Sequence, residues 1–321
     1  MSLTNMQVYN DEIQTNTIEL LAQMTSQFNG ASNGAIVLTS TGNAGDFARE
    51  AFWANLSGAQ RRVDRYAANG AQAATSLTQA ELVSVKVAGG FGPILLEPSQ
   101  LTWLQRSPGE AISAIAQSFA DALLADQLNT AVMAGVAAVE NVAALVNDVS
   151  ATGGVTQVAL NGSHAKFGDM SQLLATDVMT GSVYHRLIGE ALANAVQLFV
   201  SGNVTVVSLL GKAIVVSDIP ALFEAGAPNK DKVLSLTAGG IIVSDNGDLV
   251  SNMETNNGKE RIETTWQSDY TFQIGLKGYA WDVTNGGKSP TDAEIATGTN
   301  WDKAVTANKH TAGTLTIGDA A

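Results

Sequence analysis

Gly30-Ala31-Ser32-Asn33-Gly34 has the G-x-S-x-G spacing that lifts a serine nucleophile out of a tight turn. That chemistry needs a strand before the turn and a helix after it. Here the apolar spacing before Gly30 is helical and the segment after it is strand-like, so Ser32 reads as a turn residue. The three histidines, His164, His185 and His310, have no second histidine or carboxylate at metal-ligand spacing. His185, beside Tyr184 and Arg186 in a helical stretch, reads as structural. Gly89 to Pro93 is glycine-rich but lacks the Lys-Ser/Thr of a phosphate loop and reads as a bend before Pro93. Ser244 to Asp248 resembles half a calcium loop without the closing glutamate and reads as a hairpin turn. No catalytic, cofactor-binding or metal-ligating residue is expected from these motifs.

Charge and aromatic residues point instead to association. Net charge is −13, which argues against a grip on nucleic-acid phosphates, because that grip needs lysine and arginine. One basic cluster stands out: Arg61, Arg62 and Arg65. The first 48 residues hold no lysine or arginine, and Asp11, Glu12 and Glu19 lie among them. The two sets suit each other as a contact between copies of the chain. Phe52, Trp53, Tyr66 and Phe91 interrupt an otherwise polar stretch and are candidate anchors for such a contact; the competing reading is a local core beneath it. Charged residues make up 15 % of the chain, against about 25 % in ordinary soluble domains, as expected where a surface is covered by sister molecules. There is no cysteine, hence no disulfide framework. The N-terminus lacks the pattern of a signal peptide, and no uninterrupted apolar run approaches membrane-spanning length.

The elements that would carry these residues follow from periodicity. Ile13, Ile18, Leu21, Met24 and Phe28 predict an amphipathic helix, and residues 35–40 a short strand. From Arg49 to residue 90 the chain is polar and Gly/Ala-rich. It returns through Val83, Val85 and Val87 on one face, so it reads as an extended hairpin rather than a domain. Ser107, Pro108 and Glu110 form a helix start, and Ile112, Ile115, Phe119, Leu123 and Val132 continue it to Gly135, where it ends or bends. Residues 136–148 resume a helical pattern. Residues 156–160, 203–209 and 211–218 read as strands, the last one buried, and 182–200 as a helix. Two short strands follow in 233–250, and a short capped helix at 289–296. Between Thr264 and Gly278 the even positions Trp266, Tyr270, Phe272, Ile274 and Leu276 are apolar and the odd ones polar. This predicts a strand about twice the usual five to six residues.

In this order the parts resemble the major capsid proteins of tailed double-stranded DNA bacteriophages, with the Hong Kong 97-type or Johnson fold. The local matches are Leu82 to Val87 followed by Phe91-Gly92-Pro93, Val178 to Ile188, Leu209 to Leu222, Val233 to Val243 and Glu260 to Asp282. The resemblance implies an α+β chain with an N-terminal arm (1–46), an extended β-hairpin loop (47–100), and a long spine helix with the first part of a peripheral domain (101–150). An axial α/β domain (151–235) follows, and then the rest of the peripheral domain with its long strand and the C-terminal segment (236–321). It implies a structural protein, not an enzyme, that assembles in the host bacterial cytoplasm into hexamers and pentamers of an icosahedral virion shell. Its implied partners are further copies of itself, a separate scaffolding protein, a portal protein, a decoration protein, and packaged DNA held without specific contacts; no cofactor and no membrane are implied. Some relatives cross-link a loop lysine to an asparagine with a glutamate as base. Lys86, Asn256, Asn257 and Glu263 are the nearest such residues here, and with one loop lysine cross-linking is not expected. An encapsulin shell or a phage tail or adhesin protein are the alternatives.

Overall fold

The computed structural model describes residues 3–53, 60–74, 76, 79–97, 108–198, 212–258, 260 and 262–320. The chain begins with α1 (Leu3–Ala31), β1 (Ile36–Thr39), β2 (Phe47–Trp53) and β3 (Gln79–Leu96). Then come α2 (Pro108–Glu140), β4 (Val146–Asp148), α3 (Gln157–Ala165), β5 (Leu174–Met179) and α4 (Gly181–Leu198). Next are β6 (Ala213–Val216), β7 (Phe223–Glu224), β8 (Lys230–Thr237), β9 (Ile241–Asp245) and β10 (Val250–Asn256). The last are β11 (Glu263–Leu276), β12 (Tyr279–Trp281), α5 (Asp292–Ile295), β13 (Trp301–Lys303) and β14 (Gly313–Asp319).

Two six-stranded sheets dominate. The first has the order β1-β9-β11-β3-β2, with β10 also on β11; the second has β4-β14-β8-β5-β6, with β7 on β8. Strand β11 is the axle of the first sheet. Its 14 residues span about 46 Å at 3.3 Å per residue. Every even-numbered side chain from Thr264 to Leu276 is buried, because alternate residues of a strand share one face and this face meets the core. One edge of β11 pairs with β3 along most of its length; the other pairs with β10 over 263–269 and with β9 over 272–276. Strands β9 and β10 therefore follow one another along the same edge. The segment Asp245–Asp248 is a bridge between collinear strands, not the hairpin turn its sequence suggested. Thr271 holds it there: its backbone N–H donates to Asp248 at 2.8 Å, and its hydroxyl accepts from Asn246 Nδ2 at 2.7 Å.

Helix α2 passes from the surface into the core. Up to Gln127 it buries one stripe, including Ile112, Phe119 and Leu123; from Thr130 to Val139 nearly every residue is buried. Gly135 does not end it: the helix continues to Glu140. A Cβ there would lie 2.8 Å from Ile241 of the first sheet and 3.0 Å from Leu234 of the second, so glycine lets the helix pass between the sheets. The helix is long and apolar enough for a membrane by composition, yet here it is the core element that both sheets cover. Its proposed cap, Ser107, lies outside the described residues, as does the strand expected at 203–209.

Other segments depart from the sequence reading. Residues 157–165 form a helix, not a strand: Thr156 caps it by accepting from Ala159 N. The chain after Glu140 gives a 3-10 turn and β4 rather than more α-helix, and β6 is half-buried rather than enclosed. Gly89 to Pro93 continues β3 instead of bending it away. Gly89 lies under the Tyr270 ring, and Gly92, at φ +102°, sits opposite the register shift between Trp266 and Ser268. The capped helix near 292 is present with a Thr291/Glu294 capping box.

Candidate assembly surfaces

The hairpin β2–β3 pairs Phe47 with Val85 at its base and Trp53 with Gln79 at its outer end. Its inner strand is anchored by Val83, Val85 and Val87, all buried. An aromatic seam fixes that base to the body. Phe91 packs edge-on against Phe119 of α2 at 5.0 Å and stacks on Tyr270 at 5.6 Å, while Phe119 meets Trp266 at 5.2 Å. Phe91, a candidate contact between copies, thus belongs to the subunit's own core, because β3 runs on beside β11 past the hairpin. Below the seam, the Tyr270 hydroxyl donates to Asp126 at 2.6 Å. Burial pushes the Asp126 carboxyl up, and burial followed by Asp126 pushes the Tyr270 phenol up.

Beyond the hairpin's paired length the picture inverts. Every described residue from Gln60 to Ser76 is exposed, including Tyr66 at 93 % and Val63 at 64 %. Arg61, Arg62 and Arg65 lie in this stretch, and none has an ion-pair partner among the described residues. Phe52 is half-buried against the hairpin; of Trp53 only the backbone is described. An ion pair along the hairpin, Arg49 to Glu81 at 3.6 Å, is more than half exposed on the arginine side and adds little.

Helix α1 carries the proposed complement. Asp11, Glu12 and Glu19 are exposed on it, whereas Asn10, Ile13, Thr17 and Leu21 are buried, with Met24 and Phe28 partly so. Ile18, expected on the apolar face, is exposed: the buried stripe falls at 10, 13, 17 and 21, which leaves 18 on the outside. Two side-chain amides fasten the helix to the outer edge of β10. Asn10 Nδ2 donates to Ser251 O at 3.0 Å and Gln14 Nε2 to Leu249 O at 2.7 Å. The spacing matches: four residues of helix rise about 6 Å, close to two residues of strand at about 6.6 Å. Between α1, β1 and α2 lies a groove of about 590 Å³ lined by Leu21, Leu38, Leu123 and Leu249 with Asp245 at its side.

The acids of the lysine- and arginine-free stretch 107–165 are not one surface. Glu110, Asp121 and Asp148 are exposed, but Asp126 is tied to Tyr270 and Glu140 to Lys232 at 2.9 Å. Lys232 also meets Glu224 at 2.9 Å. Burial alone would lower the Lys232 pKa; the two carboxylates reverse this and raise it.

The motif residues have local duties. Ser32 is buried, and its hydroxyl lies 3.3 Å from Asn29 O and 3.2 Å from Ile36 O, so it closes the turn between α1 and β1. His185 is exposed and meets the Tyr184 ring. Sequence spacing missed one constellation, because its members are 13 and 71 residues apart: His164 Nε2 lies 3.2 Å from Asp177 Oδ1 and 3.1 Å from Ser235 Oγ. A serine–histidine–carboxylate relay uses both ring nitrogens, one for each partner. Here both partners share one nitrogen, so the arrangement is not a nucleophile relay. Lys86 pairs in register with Gln273 and Asn256 with Glu263, ten residues apart along β11 or about 33 Å, so no cross-link forms between them within one subunit.

Comparison with known proteins agrees with this architecture. The model of a family described as Gp13-like, major capsid protein 13-like, matches residues 5–315. A search of curated proteins gives no match. Among solved structures, the cyanophage Pam1 capsid asymmetric unit aligns with a TM-score of 0.54 at 14 % identity, covering 89 % of this chain and 88 % of that one. At that identity the likeness is one of fold. The capsid of Helicobacter pylori bacteriophage KHP30 aligns at a TM-score of 0.49 and 9 % identity, over 90 % of this chain and 89 % of its own. The capsid of Ralstonia phage GP4 aligns at 0.46 and 12 %, over 77 % and 84 %. With the family model spanning nearly the whole sequence, the chain belongs to the Gp13-like family of phage major capsid proteins, structural proteins of the virion shell.

Proposed function

We propose that shell assembly works through the limbs while the body only carries load. The observation that supports this reading is the stretch from Gln60 to Ser76. It exposes Tyr66 and Val63 and three arginines without an ion-pair partner among the described residues, surface that becomes favourable when another copy covers it. The exposed acids of α1, Asp11, Glu12 and Glu19, are its charge complement on a neighbour, with Phe52 and Trp53 flanking the contact. Many such small contacts around a closed ring give avidity that no single one has. In this reading residues 1–46 and 47–100 are the arm and the loop, the second sheet forms the axial domain, and α2 with β11 forms the spine. Strand β14 of the C-terminal segment pairs with β8 and β4, so the axial sheet draws on both ends of the proposed boundaries.

The chain works without a catalytic step; the closed turn at Ser32 and the single-nitrogen contacts of His164 support this. Assembly takes place in the host cytoplasm with a scaffolding protein and a portal, and a decoration protein meets the finished exterior. Packaged DNA is held without specific contacts, which the net charge of −13 favours. Electron microscopy of the chain produced alone and together with its scaffolding protein tests the reading: closed icosahedral particles are expected, and tubes or permanently single subunits in both cases would overturn it. Particles holding nuclease-protected DNA would mark a genome container, and a packaged enzyme would mark a cargo compartment instead.

A further inference from the structure

A second polar feature lies where the root of the arm meets the sheet of β5, β6 and β8. A cavity of about 480 Å³ is lined by Asn33, Asn161, His164, Ser171, Gln172 and Lys212, with Leu174 and Ala175 at its floor. Lys212 is half-buried, and among the described residues its ammonium has a single long contact, to Ser171 O at 3.5 Å. Burial lowers its pKa, and the charge of Asp177 opposes that in part. A half-buried cation with no carboxylate at ion-pair distance among the described residues is stabilised when an anion visits it. The carboxamides of Asn33, Asn161 and Gln172 have no hydrogen-bond partner among the described residues.

His164 adds the more specific feature. Its side chain is 7 % exposed, and Nε2 faces Asp177 Oδ1 and Ser235 Oγ. A carboxylate only accepts, so this contact puts a proton on Nε2; in the neutral ring Nδ1 then presents a lone pair. Nδ1 has no partner among the described residues although the ring lines the cavity. Asp177 itself does not line it. The cavity therefore combines one cation and several N–H donors with the His164 ring as an acceptor.

We propose that this cavity binds a hydrogen-bearing phosphate ion. The charged oxygens accept from Lys212 and the carboxamides, while the P–O–H group donates to His164 Nδ1. Carboxylates and sulfate offer acceptors only, so they leave that nitrogen unmatched. Asn33 belongs to the turn that follows α1, and Thr176 of β5 donates to Ser32 O beside it at 2.7 Å, so a bound ion would tie the root of the arm to the second sheet.

Isothermal titration of the full chain with inorganic phosphate, at fixed ionic strength and neutral pH, tests this. One site per subunit is expected, with a dissociation constant of about 1 mM or tighter, and sulfate about tenfold weaker. Lys212→Met should weaken phosphate about tenfold or more, and Asn161→Ala, on the exposed side of α3, about threefold. Lys309→Met, at a lysine already paired with Asp169, should leave it unchanged. Absence of saturable binding overturns the proposal, as do sulfate binding as tight as phosphate or unaltered affinity in both Lys212→Met and Asn161→Ala.

Discussion

Along β11 every second side chain enters a core closed by α2 and the neighbouring strands; from Gln60 to Ser76 every described side chain faces solvent. Both stretches belong to one chain, and β3 joins them: its Val83 to Val87 end is packed, and the hairpin it forms with β2 leads out to the arginines. The body gains its stability within one subunit, through apolar burial and an aromatic seam. The limb carries chemistry that a lone subunit does not use. Helix α1 lies between these extremes, since half of its buried stripe is polar and it is fastened by amides rather than by a broad apolar face.

Substitutions should separate these regions by size of effect. Phe272→Ala, at a fully buried ring in the middle of β11, should cost about 3–5 kcal/mol in denaturant unfolding and prevent recovery of folded subunits. Tyr270→Phe keeps the ring but removes the hydroxyl from a half-buried Asp126. A loss of about 1–3 kcal/mol is expected, and a neutral result would detach that bond from the strength of the seam.

Acid should act on the second sheet. The hydrogen bond and charge of Lys232 hold Glu224 below its ordinary 4.5, so its contribution is present above that value and lost as pH falls through the lower folded one. Glu224→Gln should therefore be less stable than the parent at pH 7, and the two stability–pH curves should converge as pH falls below about 4.5. Lys232 has the opposite sign: its raised pKa gives stability that is present below 10.5 and lost in stronger alkali. The smallest effect belongs to the arm. Gln14→Ala removes the bond to Leu249 O and a longer one from the Ser251 hydroxyl, and should cost about 0.5–1.5 kcal/mol locally. Hydrogen exchange should show faster exchange in α1 with β11 unchanged; equal acceleration in both would join arm and body into one unit.

What the sequence made legible follows from where physical signals are local. The alternation of Trp266 to Leu276 survives intact because one face of a strand meets one core. The hairpin was readable from its poverty of apolar residues, and the start of α2 from Pro108 and Glu110. Less legible were features that depend on distant partners. Nothing near Gly135 announces Ile241 and Leu234 pressing on it. The turn signal at Asp245–Asp248 is real, yet Thr271 converts it into a bridge along one edge of β11. Val158 and Leu160 suit a strand as well as a helix, and only the Thr156 cap decides between them. The same limit hid the surroundings of His164 and showed Phe91 as a surface candidate when its ring is part of the seam.

The division of labour between limb and body is tested most directly by measuring assembly and subunit unfolding side by side for Arg61→Glu/Arg62→Glu/Arg65→Glu. Particles should be lost by electron microscopy while the unfolding free energy stays within about 0.5 kcal/mol of the parent. Normal particles from the triple variant, or lost assembly accompanied by an equally damaged subunit, would contradict it.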